Sequence, residues 1–304
     1  MGLINQLSPK TGKQTYEIHE HWFGFGETCV RVTEHRPREE KLHNLFFLHG
    51  RYGHAESWNS ILCELAQSYR CFSLDLPGFG RSFHVRGSGL SLFEAAILTE
   101  RLISYLIDAR ENVILIGHDI GAAIAQLAAI RGKERVEGLI LLNALFLHQD
   151  TPFSGSPVAH FALPRKLKHL LSQTAKLTAE LKETLLSPWK MAGGKAGLTH
   201  ALRDFSRSWP SRYERKIWQE AVKELELPFL ILWGELDSLN LSEDGMAMMG
   251  TLKDAQFFAH PGCGHWLCSE DPAWVSAKIR EFCFKVRLAP EKLKPIRDQK
   301  FLSR

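Results

Sequence analysis

The segment "VILIGHDIGAAIAQLAAI", residues 113–130, runs from an apolar stretch through a glycine-bracketed turn into small residues at helical spacing. The turn reads Gly117-His118-Asp119-Ile120-Gly121, with an aspartate where the motif Gly-x-Ser-x-Gly carries a serine. A residue at the tip of a strand-to-helix turn sits in a tight, strained backbone. Small neighbours, here Gly117, Gly121 and Ala122, let helix and strand approach each other. A serine in that place needs a base to remove its proton. An aspartate does not, because its unperturbed pKa of about 3.9 leaves it ionised at neutral pH. Its oxygen can displace a leaving group at an sp³ carbon and form an ester with the protein. Hydrolysis of that ester then requires a general base to activate water. Donors at the helix N-terminus lie where the tetrahedral intermediate would develop. The blander use of Asp119 is a helix N-cap.

Partners for such a nucleophile lie downstream. Asp237 follows an apolar stretch at 228–233, within "WGELDSL", and His265 follows another at 255–259, within "HPGCGHW". Asp237 can also be read as a turn-former, with Glu235 as its nearby competitor. His118 reads as a packing residue of the turn, His260 as a strand-end residue and Arg81 as structural. Cys263, His265 and Cys268 crowd together, but a zinc site needs three or four ligands at paired spacing and the sequence has no second cluster. Neither a metal nor a cofactor is expected.

These residues must be positioned by a sheet. Residues 27–33, 44–50, 70–82, 136–144, 227–239 and 255–266 each contain a strand-like run, most of them ending in a Gly/Pro turn, and 91–109 has helical spacing. Continuous apolar strands alternating with helices predict a mostly parallel sheet with helices on both faces, an α/β fold. The interval 146–225 holds amphipathic helical stretches and no convincing strand. It reads as a helical insertion over the carboxyl ends of the strands, where open α/β sheets bind ligands. The expected division is a core of 1–145 and 226–290, a helical cap of 146–225, and a basic tail of 291–304.

In order along the chain, "LHGRYG" at 48–53, "DLPGFGRS" at 75–82, "GHDIG", "WGELD" and "GCGHW" resemble the α/β-hydrolase superfamily, and the aspartate places the resemblance in its Asp-nucleophile branch. It covers the core from about residue 25 to 284 and is weak in the cap. It implies Asp119 as nucleophile, His265 as base, Asp237 as its acid partner, and the backbone amides of Arg51 and Ile120 as the oxyanion hole. The side chain of Arg51 is read as a substrate contact or, equally, as a surface salt bridge. In that branch epoxide hydrolases donate to the epoxide oxygen from cap tyrosines. Of five tyrosines only Tyr213 falls in the cap, with Tyr52, after the His-Gly turn, as second choice. Haloalkane dehalogenases hold the halide with a tryptophan after the nucleophile, and with an asparagine after His-Gly or a cap tryptophan. Ile120 and Arg51 occupy the first two positions, and Trp189, Trp209 and Trp218 are available in the cap. Fluoroacetate-type enzymes carry an arginine where Ile120 stands, and the proline common after His-Gly-x is missing here. The expectation is an epoxide hydrolase-like enzyme acting on a small apolar substrate, with a haloalkane or haloacid dehalogenase second. A catalytically silent small-molecule-binding scaffold is the alternative of another class.

The bulk composition, 44% hydrophobic and 24% charged residues, is that of an ordinary globular protein. A net charge of +4 over 304 residues is too small to argue for nucleic acid, and no stretch is apolar for long enough to span a membrane. Six scattered cysteines without a basic-then-apolar leader favour reduced thiols and a cytoplasmic setting. The expected partners are a small-molecule substrate and water.

Overall fold

The computed structural model describes residues 15–39, 41–84, 90–145, 177–190 and 194–288. The expected tail at 291–304, the first part of the 146–225 interval and the side chain of Trp189 lie outside them.

The described residues begin with a hairpin of β1 (Tyr16–Phe25) and β2 (Thr28–Pro37), turned at Gly26, whose φ of 58° suits glycine. β2 continues antiparallel onto β4 (Arg70–Leu74) and also pairs the short β5 (Phe83–His84). The remaining strands are β3 (Asn44–Leu48), β6 (Val113–His118), β7 (Val136–Leu142), β8 (Phe229–Gly234) and β9 (Ala255–His260). The order β4-β3-β6-β7-β8-β9 is parallel throughout, so their carboxyl ends all open at one edge.

The central strands are buried on both faces, and their side chains alternate between two cores. Phe46, Leu48, Leu115, Leu141 and Ile231 face one layer, with helices α2 (Leu92–Leu106) and α3 (Ile120–Arg131). Leu45, Phe47, Ile114, Ile116, Ile140 and Leu230 face the other, with α1 (Asn59–Leu65) and the C-terminal helix through Val275, Ile279 and Phe282. A capping box starts α2: Ser91 Oγ accepts from the Glu94 amide at 3.1 Å and Glu94 returns to the Ser91 amide at 2.7 Å.

The described part of the 146–225 interval is helical: α4 (Ala179–Lys190), α5 (Gly194–Arg207) and α6 (Arg212–Lys223). Leu185, Leu198, Leu202, Phe205 and Val222 join the same apolar cluster as Phe79, Tyr52 and Ile120, so these helices share the core of the sheet. After β8 come α7 (Ser242–Met249), β9, α8 (Leu267–Glu270) and α9 (Pro272–Leu288). No described helix is long and apolar enough to cross a membrane.

Candidate active site

Five neighbouring parallel strands bring their carboxyl ends to one place. Arg51 stands three residues past β3, Asp119 directly after β6, Asn143 directly after β7, Asp237 and Asn240 after β8, and His265 after β9. Each position follows the carboxyl end of a short apolar strand, which is why the topology converges polar side chains here.

Asp119 sits at the apex with φ 53° and ψ −117°, one of two non-glycine residues with positive φ among the described ones. The strained turn is held by close packing on either side. A Cβ on Gly117 would fall 2.5 Å from the Ala122 Cα, and one on Gly121 would fall 2.6 Å from the His49 carbonyl oxygen. Glycine at both places is a steric requirement of pressing α3 against β6 and the end of β3. Asp119 occupies the N-cap position of α3, yet its side chain makes no capping bond. Its carboxylate turns instead to Arg51 and Asn240. Oδ2 accepts from the Arg51 amide at 2.8 Å and from Arg51 Nε at 2.9 Å. Oδ1 accepts from Arg51 Nη2 at 2.8 Å and from Asn240 Nδ2 at 3.1 Å. Burial disfavours the carboxylate, but the Arg51 charge, with His265 beside it, outweighs burial and holds the Asp119 pKa well below the usual carboxylate range.

His265 is buried and its Nδ1 lies 2.9 Å from Asp237 Oδ2. An acceptor at Nδ1 fixes the tautomer that leaves Nε2 free of its proton and able to act as a base. Asp237 is in turn saturated. Oδ1 accepts from the amides of Leu239 at 2.7 Å and Asn240 at 3.1 Å, while Oδ2 also accepts from Asn143 Nδ2 at 2.7 Å. Burial raises its pKa, but the His265 ring and these donors more than reverse that, so Asp237 stays ionised. For His265, burial disfavours the imidazolium, and the Asp237 and Asp119 carboxylates overcome it and raise the pKa above its ordinary value. His118 differs. Burial and the neighbouring His265 ring push its pKa down to about 4, and its Nε2 donates to the His265 carbonyl at 2.8 Å, so it is a neutral spacer that holds the histidine loop.

Of the residues expected from the sequence, the structure brings together Asp119, Asp237, His265 and the Arg51 amide. Ile120 is the first residue of α3, where its N–H has no partner within the helix. Tyr52 is buried and borders a narrow cavity together with His118, Leu185, His265 and Trp266. Glu235, the competitor of Asp237, is exposed.

Two expectations are corrected. Tyr213 is 75% exposed on α6, whose inward face carries Arg215, Trp218 and Val222 at helical spacing; Tyr213 lies on the opposite face, away from the site. Arg51 makes no surface salt bridge: its side chain is buried, and its pair is Asp119 itself. Nor do Cys263, His265 and Cys268 converge, since His265 is turned to Asp237 and Cys268 Sγ lies against Ser269 Oγ. Among the described residues the one group with ligand atoms close together is His260, Cys263 and Asp271. Both ring nitrogens of that histidine are engaged, with the Gly262 amide at 3.2 Å and Asp271 at 3.1 Å.

Sequence reasoning missed Asn143 and Asn240. Asn143 holds Asp237, and its carbonyl accepts from Asn240 Nδ2 at 2.7 Å; Asn240 links that group to Asp119 and accepts from Arg51 Nη2 at 3.1 Å. The available signal was a short polar residue immediately after an apolar strand, "LLNA", and a second asparagine three residues past the acid.

The alpha/beta hydrolase family matches residues 45–278, most of the chain. The chain belongs to that family. Among curated relatives it is 27% identical to Epoxide hydrolase 3 of Xenopus tropicalis over 264 residues, covering 78% of this chain and 70% of that one. It is 25% identical to Epoxide hydrolase 1 of Caenorhabditis elegans, covering 79% of this chain and 65% of the relative's length. A laboratory-evolved variant of potato epoxide hydrolase superposes with a TM-score of 0.72 at 18% identity, covering 88% of this chain and all of that one, a likeness of fold. The α/β-hydrolase is therefore an enzyme with epoxide hydrolase-like relatives.

Proposed function

We propose that this hydrolase works through a covalent ester on Asp119 and that its substrates are small apolar epoxides. The observation that carries the reading is the orientation of Asp119. One carboxylate oxygen rests on the Arg51 amide, as the carbonyl oxygen of an ester would, while His265 is held by Asp237 beside it.

In the first step Asp119 Oδ1 attacks an epoxide carbon, the C–O bond breaks, and its electron pair goes to the epoxide oxygen. Tyr52 supplies the proton, and its phenolate is reprotonated by the His265 imidazolium, which leaves that ring neutral. Burial raises the pKa of the Tyr52 hydroxyl, which keeps it protonated until a strong base forms next to it. In the second step His265 Nε2 takes a proton from water, and the hydroxide attacks the Asp119 carbonyl carbon. The Arg51 and Ile120 amides hold the oxyanion, and collapse expels the diol oxygen, which takes the proton back from the imidazolium; the carboxylic acid left on Asp119 then gives its proton to His265, which restores the starting carboxylate. Leu185 of α4 borders the cavity at His265, which supports a capping role for the helices of the 146–225 interval. Water and a small molecule suffice as partners.

A haloalkane is the second reading, favoured by one observation: Asn240 places an amide donor beside Asp119 although position 120 offers none. Incubating the His265→Gln variant with panels of epoxides and haloalkanes and weighing the intact protein separates the two. An epoxide adds its whole mass to Asp119, whereas a haloalkane adds its alkyl group without the halogen. Removing Asp119 should abolish every adduct. No adduct with either panel would refute the covalent reading and leave the silent binding scaffold.

A further inference from the structure

The oxyanion-hole role needs only the Arg51 amide. It leaves unexplained a buried guanidinium that grips both oxygens of the nucleophile. Arg51 Nε reaches Oδ2 at 2.9 Å and Nη2 reaches Oδ1 at 2.8 Å, with Asn240 Nδ2 on Oδ1 at 3.1 Å. All three residues are buried, and Arg51 Nη2 also donates to Asn240 Oδ1 at 3.1 Å, so the donors form one braced unit. In this state the lone pairs that would attack carbon are occupied.

Charge conservation shows what the unit is for. A guanidinium does not give up its proton in a protein. When Asp119 becomes an ester its negative charge disappears, and a buried cation without its anion is strongly disfavoured. The same displacement creates a negative charge on the leaving atom, across one carbon from Oδ1 and within the sweep of an arginine side chain. We propose that Arg51 and Asn240 form an anion site that the Asp119 carboxylate fills in the resting protein and the departing negative charge fills during reaction. The reaction half of this rests on the covalent reading above; the anion site itself does not. Electrons and protons balance as before: the C–O pair goes to the leaving oxygen, Arg51 and Asn240 stabilise it by hydrogen bonds, and the proton still comes from Tyr52. The nucleophile is latched without substrate, and a substrate that develops no anion opposite Oδ1 cannot release it.

The test removes the resident carboxylate and leaves its space empty, with glycine suiting the φ of 53° at this position. Asp119→Gly is titrated with sodium formate at constant ionic strength, with thermal unfolding as the readout. Saturable stabilisation is expected, roughly 5–10 °C at a hundredfold excess over Kd. Wild type, whose own carboxylate fills the site, should show none. The effect should vanish in Asp119→Gly/Arg51→Gln and weaken in Asp119→Gly/Asn240→Ala. Equal stabilisation of wild type, or full binding by the Arg51→Gln double variant, would overturn the site. If Asp119→Gly does not fold, Arg51→Gln in the His265→Gln background decides. Adduct formation there should slow by about a hundredfold or more, and an unchanged rate overturns the proposal. Formate binding without any adduct in His265→Gln would instead refute the covalent reading and leave the anion site standing. Adduct without formate binding would do the reverse.

Discussion

Asn143→Ala tests whether the residue behind the acid matters as the geometry requires. Asn143 Nδ2 donates to Asp237 Oδ2 at 2.7 Å, the oxygen that also accepts from His265 Nδ1 at 2.9 Å. A hydrogen bond to a buried charged group contributes about 1.5–3 kcal/mol. Asn143 also has φ 41°, where asparagine is tolerated and alanine costs about 1 kcal/mol more. The two effects sum to a destabilisation of roughly 2.5–4 kcal/mol. At about 2–4 °C per kcal/mol this lowers the melting temperature by roughly 5–15 °C. Asn143→Gly separates the contributions, because it loses the hydrogen bond and keeps the backbone. It should be about 1 kcal/mol more stable than Asn143→Ala. Urea unfolding of all three proteins measures both differences. A midpoint for Asn143→Ala indistinguishable from wild type would refute the hydrogen-bond argument, and equal midpoints for the two variants would refute the backbone argument.

Two further outcomes are expected. In Asp119→Asn the His265 pKa should fall below its wild-type value, because the Asp119 charge is one of the causes that raise it; ¹⁵N-histidine NMR across pH checks this, and an equal or higher pKa contradicts it. Glu34 is pulled from the burial-raised side down to about 2 by Arg36, Arg70 and His21, so its stabilisation is complete above its unfolded pKa of about 4.3. The stability gap between wild type and Glu34→Gln should therefore close as pH falls from about 5 towards 2, and a gap that stays constant would show that Glu34 is not coupled to folding.

The parallel sheet was legible because its strands are continuous apolar runs, most of them cut off by glycine or proline. That Asp119, Asp237 and His265 converge was legible because each stands just past such a run. β1 was not read. Its residues Ile18, Trp22 and most of their neighbours are partly or fully exposed, so an edge strand with charged side chains shows little of the pattern that marked the others. Asn143 and Asn240 escaped for a different reason. Asparagine is common in loops, and only the adjacency of β6, β7 and β8 turns two loop amides into partners of carboxylates far away in sequence. The counter-ion of Arg51 was hidden for the same cause, since a charge says nothing of what faces it until the fold does. Tyr213 was within reach: Arg215, Trp218 and Val222 fix the inward face of α6, and a residue two before Arg215 cannot share it.

If the covalent reading holds, the charges of the assembled site give its two chemical steps their order. Asp119, Asp237, Arg51 and His265 form one buried group. With both carboxylates ionised, neutrality requires Arg51 and a protonated His265, in keeping with the raised His265 pKa. On the covalent reading, ester formation moves the Asp119 charge to the leaving oxygen, and the proton that reaches that oxygen from Tyr52 is replaced from the His265 imidazolium. Asp237 and Arg51 then balance each other, and the neutral imidazole becomes the favoured form. The base is thus made available by the step that creates the ester it must help to hydrolyse. Because Asn240 bonds Asp119 through its side chain and Asp237 through its backbone, the two carboxylates are braced against one frame while the charge between them changes. A serine at position 119 would carry no charge to lose, and the site would have no such way of switching its histidine.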